Sequence, residues 1–233
     1  MALTEPCRER ISAWRKHLDS VQNEMTDLLQ QQRWFHRIHE IMANNPELKA
    51  LEPKPFIGDI VAWYATYACM SIRRLTDKMD DTFSLRRLLD DLVAHSECLT
   101  RENLFEYYRG AAPTFPPDVH TRMVAGMWAP FANADDTLNL AAIQDDIATL
   151  EADAKSIYYF ATHTMAHTTE KGKAIKVVPT FPELDDLIGH LDKLVTRYNH
   201  FVAGRSFMSG TNDGVELFDW RKEFRLAWMP EAV

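Results

Sequence analysis

The chain has 233 residues, a hydrophobic fraction of 46% and a formal net charge of -8. It contains only 8 glycines and 11 prolines, which favours long helices over a fold with many tight turns. The acidic balance argues against indiscriminate binding to nucleic acid or anionic lipid, but it leaves room for a local basic site.

The first predicted helix is long and covers residues 5–43, with Thr4 as its N-cap. The second, over 56–79, is apolar almost all round, which is typical of a helix at the centre of a bundle. Two short helices are expected next. Ser84 and Thr100 each precede a helical pattern and are residue types that cap helix N-termini.

A long insertion runs from 110 to 130, and within it one helix is expected over 118–128. The stretch 136–172 reads as one long helix, because its apolar residues recur in steps of three and four. Thr180 opens a capping box, TFPE, and the helix that follows should end at Gly204.

These elements predict a single all-α domain over 1–233, a helical bundle of about five main helices with short accessory ones. The core is expected over about 56–203. A C-terminal accessory helix over 213–229 carries Trp220, Phe224 and Trp228, which indicates docking on the bundle or on a second subunit.

The cysteines and the hydropathy pattern indicate in which cellular compartment the protein is expected. Cys7, Cys69 and Cys98 show no close pairing, and the N-terminal stretch has no apolar signal core. An odd cysteine count without a secretory segment is typical of a reducing cytoplasm. The longest apolar-rich run, 60–72, is too short to cross a bilayer. We therefore expect a cytoplasmic protein without a membrane partner.

Two histidines are the sharpest chemical feature of the sequence. His163 and His167 are four residues apart, so they share a helix face, and that face lies away from the apolar stripe. They could form a structural pair, a nucleic-acid site or part of a metal site. A metal would need a third ligand from another helix, because Asp145, Asp146 and Asp153 lie too far from the two histidines along the same helix. We assign no metal and no other cofactor.

Basic and aromatic residues near these histidines extend the candidate site. Tyr159 could stack on a base, although aromatic residues beside a core stripe more often pack. Arg73 and Asp77 have the spacing of a helical ion pair. The candidates for nucleic-acid contact are Lys171, Lys173, Arg73, Arg74 and Tyr159.

Two stretches carry a family resemblance. The first is SIRRLTD at 71–77 followed by SLRRLL at 84–89, and the second is Ala166-His167 followed by TFPEL at 180–184. They resemble signatures of the HEPN superfamily in its abortive-infection branch, over roughly 56–202. The resemblance implies a dimeric helical bundle that acts in phage defence or in toxin–antitoxin pairs. Active members cleave RNA without metal, through an arginine and a histidine a few residues apart.

This sequence departs from the family motif at one position. His167 matches the motif histidine, but the motif arginine would fall near Ala161 and is absent. Cleavage by the 2′-hydroxyl needs a base to take its proton and a cation to stabilise the phosphate. His167 could be the base, whereas the cation would have to come from a protonated His163, a lysine or another helix.

The motif spacing also occurs at Arg10–His17 and Arg33–His39, but composition alone gives as many matches by chance. The expected function is RNA binding or metal-independent cleavage at His163 and His167, with RNA, a second copy and an antitoxin-type protein as partners. An inactive module that binds a nucleotide or a partner protein is the alternative. A metal-dependent hydrolase is a third, weaker one.

Overall fold

A computed structural model describes residues 3–46, 55–166 and 178–205. Within these ranges the chain forms seven α-helices and no β-strand, which confirms the all-α prediction. The expected count of about five main helices is not confirmed. Four of the seven helices are 21 residues or longer, and the other three are the short helices expected after Ser84, after Thr100 and within 110–130. The helices are α1 (Glu5–Asn44), α2 (Pro55–Leu75), α3 (Leu85–Ala94), α4 (Arg101–Ala111), α5 (Pro117–Trp128), α6 (Leu140–Phe160) and α7 (Phe181–Ala203).

The first helix, rather than the second, is the centre of the bundle. α1 is a continuous helix of 40 residues that packs against α2, α3, α4 and α7. Its buried stripe repeats at helical spacing through most of that length. By contrast α2 is buried on one face only, and Trp63 is 49% exposed. The α1 stripe consists of Ile11, Trp14, Leu18, Val21, Met25, Leu28 and Leu29.

The second helix ends at Leu75, four residues before the predicted end. The Thr76 hydroxyl donates to a backbone carbonyl of the last turn, and the Asp77 carboxylate accepts the Met79 N–H at 3.0 Å. Such local side-chain bonds compete with helical ones and stop the helix. No ion pair joins Asp77 to Arg73 in the described part of the chain, because Arg73 reaches α6 instead.

The predicted helix over 136–172 is shorter than expected at its start. It begins at Leu140, where the Asn139 side chain accepts the Ala142 N–H. After Phe160 the chain continues as a π-helical turn, Ala161–Ala166, and 167–177 lie outside the described residues. Most of its predicted apolar stripe is buried, whereas Leu140 and Ile147 are only half-buried. The buried members are Ile143, Leu150, Ala154, Ile157 and Ala161.

The helix-boundary predictions hold where local chemistry decides them. Ser84 and Thr100 cap their helices through the side-chain oxygen, and Thr180 forms the full capping box with Glu183. Gly204 ends α7 with φ +61°, a left-handed conformation that favours glycine. The predicted accessory helix over 213–229 lies outside the described residues.

The structure pairs two cysteines that the sequence left unpaired. Cys7, in the first turn of α1, forms a disulfide with Cys98, which lies 91 residues away in a short 3₁₀ turn after α3. Sequence spacing gave no sign of the pair because the fold alone brings the two segments together. Cys69 remains a free, buried thiol, and burial raises its pKa to about 11.

No helix in the described part of the chain is both long enough and apolar enough to cross a membrane. Its exposed large apolar side chains are mostly scattered over different elements. Two of them, Met79 and Phe83, belong to the same loop between α2 and α3, where they are 62% and 59% exposed.

Removing the Cys7–Cys98 bond should destabilise the fold without changing its helix content. A crosslink that closes a loop of this length stabilises by about 4 to 5 kcal/mol in the loop-entropy model. We therefore expect a reductant to lower the midpoint of urea unfolding, measured by circular dichroism. The Cys7→Ser/Cys98→Ser protein is the control and should not respond to reductant. An unchanged wild-type midpoint would contradict the pairing.

Candidate nucleic-acid interface

An exposed stripe of basic and aromatic side chains follows the C-terminal half of α6 into the π-helical turn. Lys155, Tyr159 and His163 are spaced by four residues, and all three are exposed. The Tyr159 and His163 rings lie 4.3 Å apart between centroids, at 47°. The stripe, called here the α6 face, thus offers an ammonium group and two rings in tilted contact to solvent.

The π-helical turn is the irregular feature of this region. π-turns are rare within α-helices and occur frequently at functional sites. Here the turn carries Thr162 and His163 on its accessible side, while Ala161 is fully buried. The position at which the family motif would place an arginine therefore faces the core.

Arg73 reaches the same turn from α2. Its Nε donates to the Thr162 hydroxyl at 3.2 Å, and its guanidinium carbon lies 5.8 Å from the centre of the Tyr158 ring. No carboxylate in the described residues pairs with Arg73 or with Lys155. Two cations without an acidic partner therefore lie in this region, Lys155 on the stripe itself and Arg73 against the neighbouring Tyr158 and Thr162.

Two carboxylates of α6 that precede the ring pair are engaged by residues of other elements. Glu151 contacts Arg86 and Lys78, each at 2.7 Å, and the hydrogen bond from Lys78 is the main cause that lowers its pKa. Asp153 contacts His190 of α7 at 2.8 Å. Because these acids already have cationic or hydrogen-bonding partners, they do not neutralise the α6 face.

A third carboxylate fixes the orientation of α6. Asp146 accepts two hydrogen bonds from Arg197, at 2.9 and 2.7 Å, and one from the Tyr198 hydroxyl at 2.7 Å. The Arg197 guanidinium also lies 4.4 Å from the centre of the Phe131 ring. Burial, with the Asp146 hydrogen bond, raises the pKa of Tyr198, so its hydroxyl keeps the proton that it donates.

The structure brings together some of the predicted site residues and places one elsewhere. His163, Tyr159 and Arg73 lie around the π-helical turn. Arg74 points to α1, where its Nε donates to Glu24 at 3.1 Å, so it is not part of this face. Three further candidates lie outside the described residues: His167, Lys171 and Lys173.

Of the alternative arginine–histidine pairs on α1, Arg10–His17 is engaged elsewhere, whereas Arg33 and His39 are both exposed. Arg10 contacts Asp91, and His17 is buried with its Nε2 donating to the Ser84 carbonyl at 2.8 Å. Burial is the main cause that lowers the pKa of His17. His39 packs beside the Phe35 ring. In the described ranges no group of three or more His, Cys, Asp or Glu side chains is arranged to hold a metal ion.

Sequence reasoning missed two members of this region, Lys155 and Thr162. Lys155 could have been found, because it continues the four-residue spacing of Tyr159 and His163 towards the N-terminus. The contact between Thr162 and Arg73 depends on how α2 packs against α6, which no local pattern contains.

Comparisons with protein-family models, curated proteins and solved structures find no match to this chain.

Replacing Asp146 with alanine should destabilise the packing of α6 on α7. The change removes three hydrogen bonds and leaves the partly buried Arg197 and the buried Tyr198 hydroxyl without their acceptor. Breaking such a pair lowers the free energy of unfolding by about 3 kcal/mol. Asp118→Ala, which removes an exposed ion pair with Arg122, is the matched control and should have a much smaller effect in urea unfolding.

Proposed function

We propose that this chain acts on single-stranded RNA through the α6 face, with Arg73 at its border, as an RNA-acting protein of the HEPN type. The observation that carries the proposal is the exposed contact between the Tyr159 and His163 rings, with Lys155 on the same stripe and Arg73 on the same turn, both cations without an acidic partner in the described residues. The sequence resemblance supports an RNA-acting function, with its motif histidine at His167, outside the described residues. The π-helical turn supports the α6 face because such turns are frequent at functional sites.

The proposed mode of binding favours single strands over duplexes. A base can stack on Tyr159 only if it is not stacked on neighbouring bases. Bases are available in this way in loops and single strands, but not in an A-form duplex. Stacking is worth about 1 to 3 kcal/mol per base, and each phosphate contact adds salt-dependent affinity. Lys155 and Arg73 are placed to contribute the phosphate contacts.

In the proposed reaction the base is His163, in place of the motif histidine His167, which lies outside the described residues, and Arg73 is the stabilising cation. The imidazole takes the proton of a ribose 2′-hydroxyl, and the 2′-oxygen attacks the adjacent phosphorus. The bond from phosphorus to the 5′-oxygen breaks, and that oxygen receives a proton from water. The hydroxide that forms takes the proton from the imidazolium and restores the neutral base. The products are a 2′,3′-cyclic phosphate and a 5′-hydroxyl, and Arg73 stabilises the charge on the phosphate oxygens.

A second candidate function is RNA or nucleotide binding without cleavage. It is favoured by Ala161, which is fully buried at the position of the motif arginine, so the usual arrangement of the family motif cannot form there. Under this alternative the α6 face binds RNA as proposed, and Arg73 contributes affinity only. The homodimer, the antitoxin-type partner and the cytoplasmic location stay predictions. The cysteines no longer support a cytoplasmic location, because Cys7 and Cys98 form a disulfide.

Binding to a short labelled single-stranded RNA should weaken when the α6 face is changed. We expect Tyr159→Ala to lower the affinity about tenfold or more, and Lys155→Gln to reduce the salt dependence by about one phosphate contact. Fluorescence anisotropy at several salt concentrations measures both. Phe115→Ala is the matched control, because Phe115 is 50% exposed on a different part of the fold. Equal losses in the control would contradict the proposed face.

Cleavage of the same RNA in the presence of a chelator separates the two candidate functions. We expect wild-type protein to yield 2′,3′-cyclic phosphate ends, and His163→Ala or Arg73→Gln to lose cleavage while remaining folded. Arg122→Gln, at an exposed arginine of α5, should cleave as wild type does. Binding through the face without any cleavage would favour the binding module, and cleavage that survives both variants would refute the proposed roles.

A further inference from the structure

The loop between α2 and α3 presents an unusual surface. The Thr82 N–H donates to the Met79 carbonyl at 3.2 Å, which closes a turn with Asp80 and Asp81 at its tip. Met79 and Phe83 stand on either side of this tip, 62% and 59% exposed. Two exposed carboxylates are thus flanked by two large apolar side chains.

The loop is held in place by hydrogen bonds at both ends. At its start the Asp77 carboxylate accepts the Met79 N–H at 3.0 Å, and the Asp77 carbonyl accepts the Ser84 hydroxyl. The Thr82 hydroxyl donates to the Met79 carbonyl at 2.8 Å, and Arg87 of α3 donates to the Thr82 carbonyl at 2.9 Å. The backbone of the loop is therefore already ordered, so that binding a partner would cost little further conformational entropy.

The side of the loop that faces the protein rests on α1. His17 donates from Nε2 to the Ser84 carbonyl at 2.8 Å, and its ring meets the Phe83 ring edge-on, with centroids 5.2 Å apart. This contact fixes one edge of Phe83 and leaves most of the ring in solvent. Phe83 is therefore held in a fixed orientation while most of its ring stays exposed to solvent.

Such an arrangement has the properties of a binding anchor. Exposed apolar side chains gain free energy when a partner covers them, at roughly 25 cal/mol per Å². A partner that binds a fixed loop avoids the ordering penalty that a flexible loop would impose. Interfaces often depend on a few large side chains of this kind, which enter pockets on the partner.

The charges at the tip select the class of partner. In the described residues no cation pairs with Asp80 or Asp81. Two free carboxylates repel the phosphates of RNA and of anionic lipid, and a two-fold contact between copies would oppose like charges. A protein surface with an apolar pocket and a basic rim complements both features.

We propose that the 77–84 loop is a docking site for a partner protein that covers Met79 and Phe83 with an apolar pocket and pairs Asp80 and Asp81 with lysine or arginine. This site is distinct from the α6 face, and it does not depend on the RNA function. The loop shares no residue with the exposed stripe of Lys155, Tyr159 and His163.

Selection of random phage-displayed peptides on the full-length chain tests the docking site without a known partner. We expect the enriched peptides to combine an aromatic or aliphatic residue with lysine or arginine. The affinity of the enriched synthetic peptide should fall tenfold or more with Met79→Ser/Phe83→Ser. It should fall severalfold, with a weaker salt dependence, for Asp80→Asn/Asp81→Asn. Phe115→Ser is the matched control and should bind as wild type does.

Several outcomes would overturn the docking site. They are a selection that yields no peptide, peptides without basic residues, and peptides whose affinity is unchanged by the loop variants. Sedimentation analysis of the full-length chain provides a further test, because it measures whether the loop joins two copies of the chain. A dimer that dissociates in Met79→Ser/Phe83→Ser would assign the loop to a second copy and refute a basic partner. Circular dichroism of each variant confirms that these exposed substitutions leave the fold intact.

Discussion

The hydrogen bonds from Arg197 and Tyr198 to the Asp146 carboxylate determine how α6 sits on the bundle. A mostly buried carboxylate must keep its donors, so α6 has little freedom to rotate against α7. The apolar stripe of α6 faces the core in this rotation. The opposite side, which carries Tyr159 and His163, is then turned to solvent, and the proposed RNA face follows from this one constraint.

Local pairing explains how an acidic protein can present a cationic face. The chain has a net charge of -8, but two carboxylates of α6 that precede the ring pair are bound to partners on neighbouring elements. Lys155 and Arg73 lack acidic partners in the described residues. Free carboxylates are instead present on the 77–84 loop, at Asp80 and Asp81. The chain therefore separates a surface suited to RNA from one suited to a basic protein.

The sequence predicts helix boundaries well where a cap or a glycine decides them, as at Thr180 and Gly204. It also predicts the buried stripe of α6, because a 3.6-residue period is a local property. The Cys7–Cys98 bond and the approach of Arg73 to Thr162 are not local, since each joins segments about 90 residues apart that only the packing of helices brings together. The early end of α2 depends on side-chain hydrogen bonds that compete with the helix.

Ultraviolet crosslinking of the full-length chain to single-stranded RNA, followed by mass spectrometry of the linked peptides, tests the central claim most directly. A base stacked on an exposed tyrosine is placed for crosslinking, so we expect the main adduct on the segment that carries Tyr158 and Tyr159. Crosslinks confined to other helices, or a chain that forms none, would contradict the assignment of the α6 face to RNA.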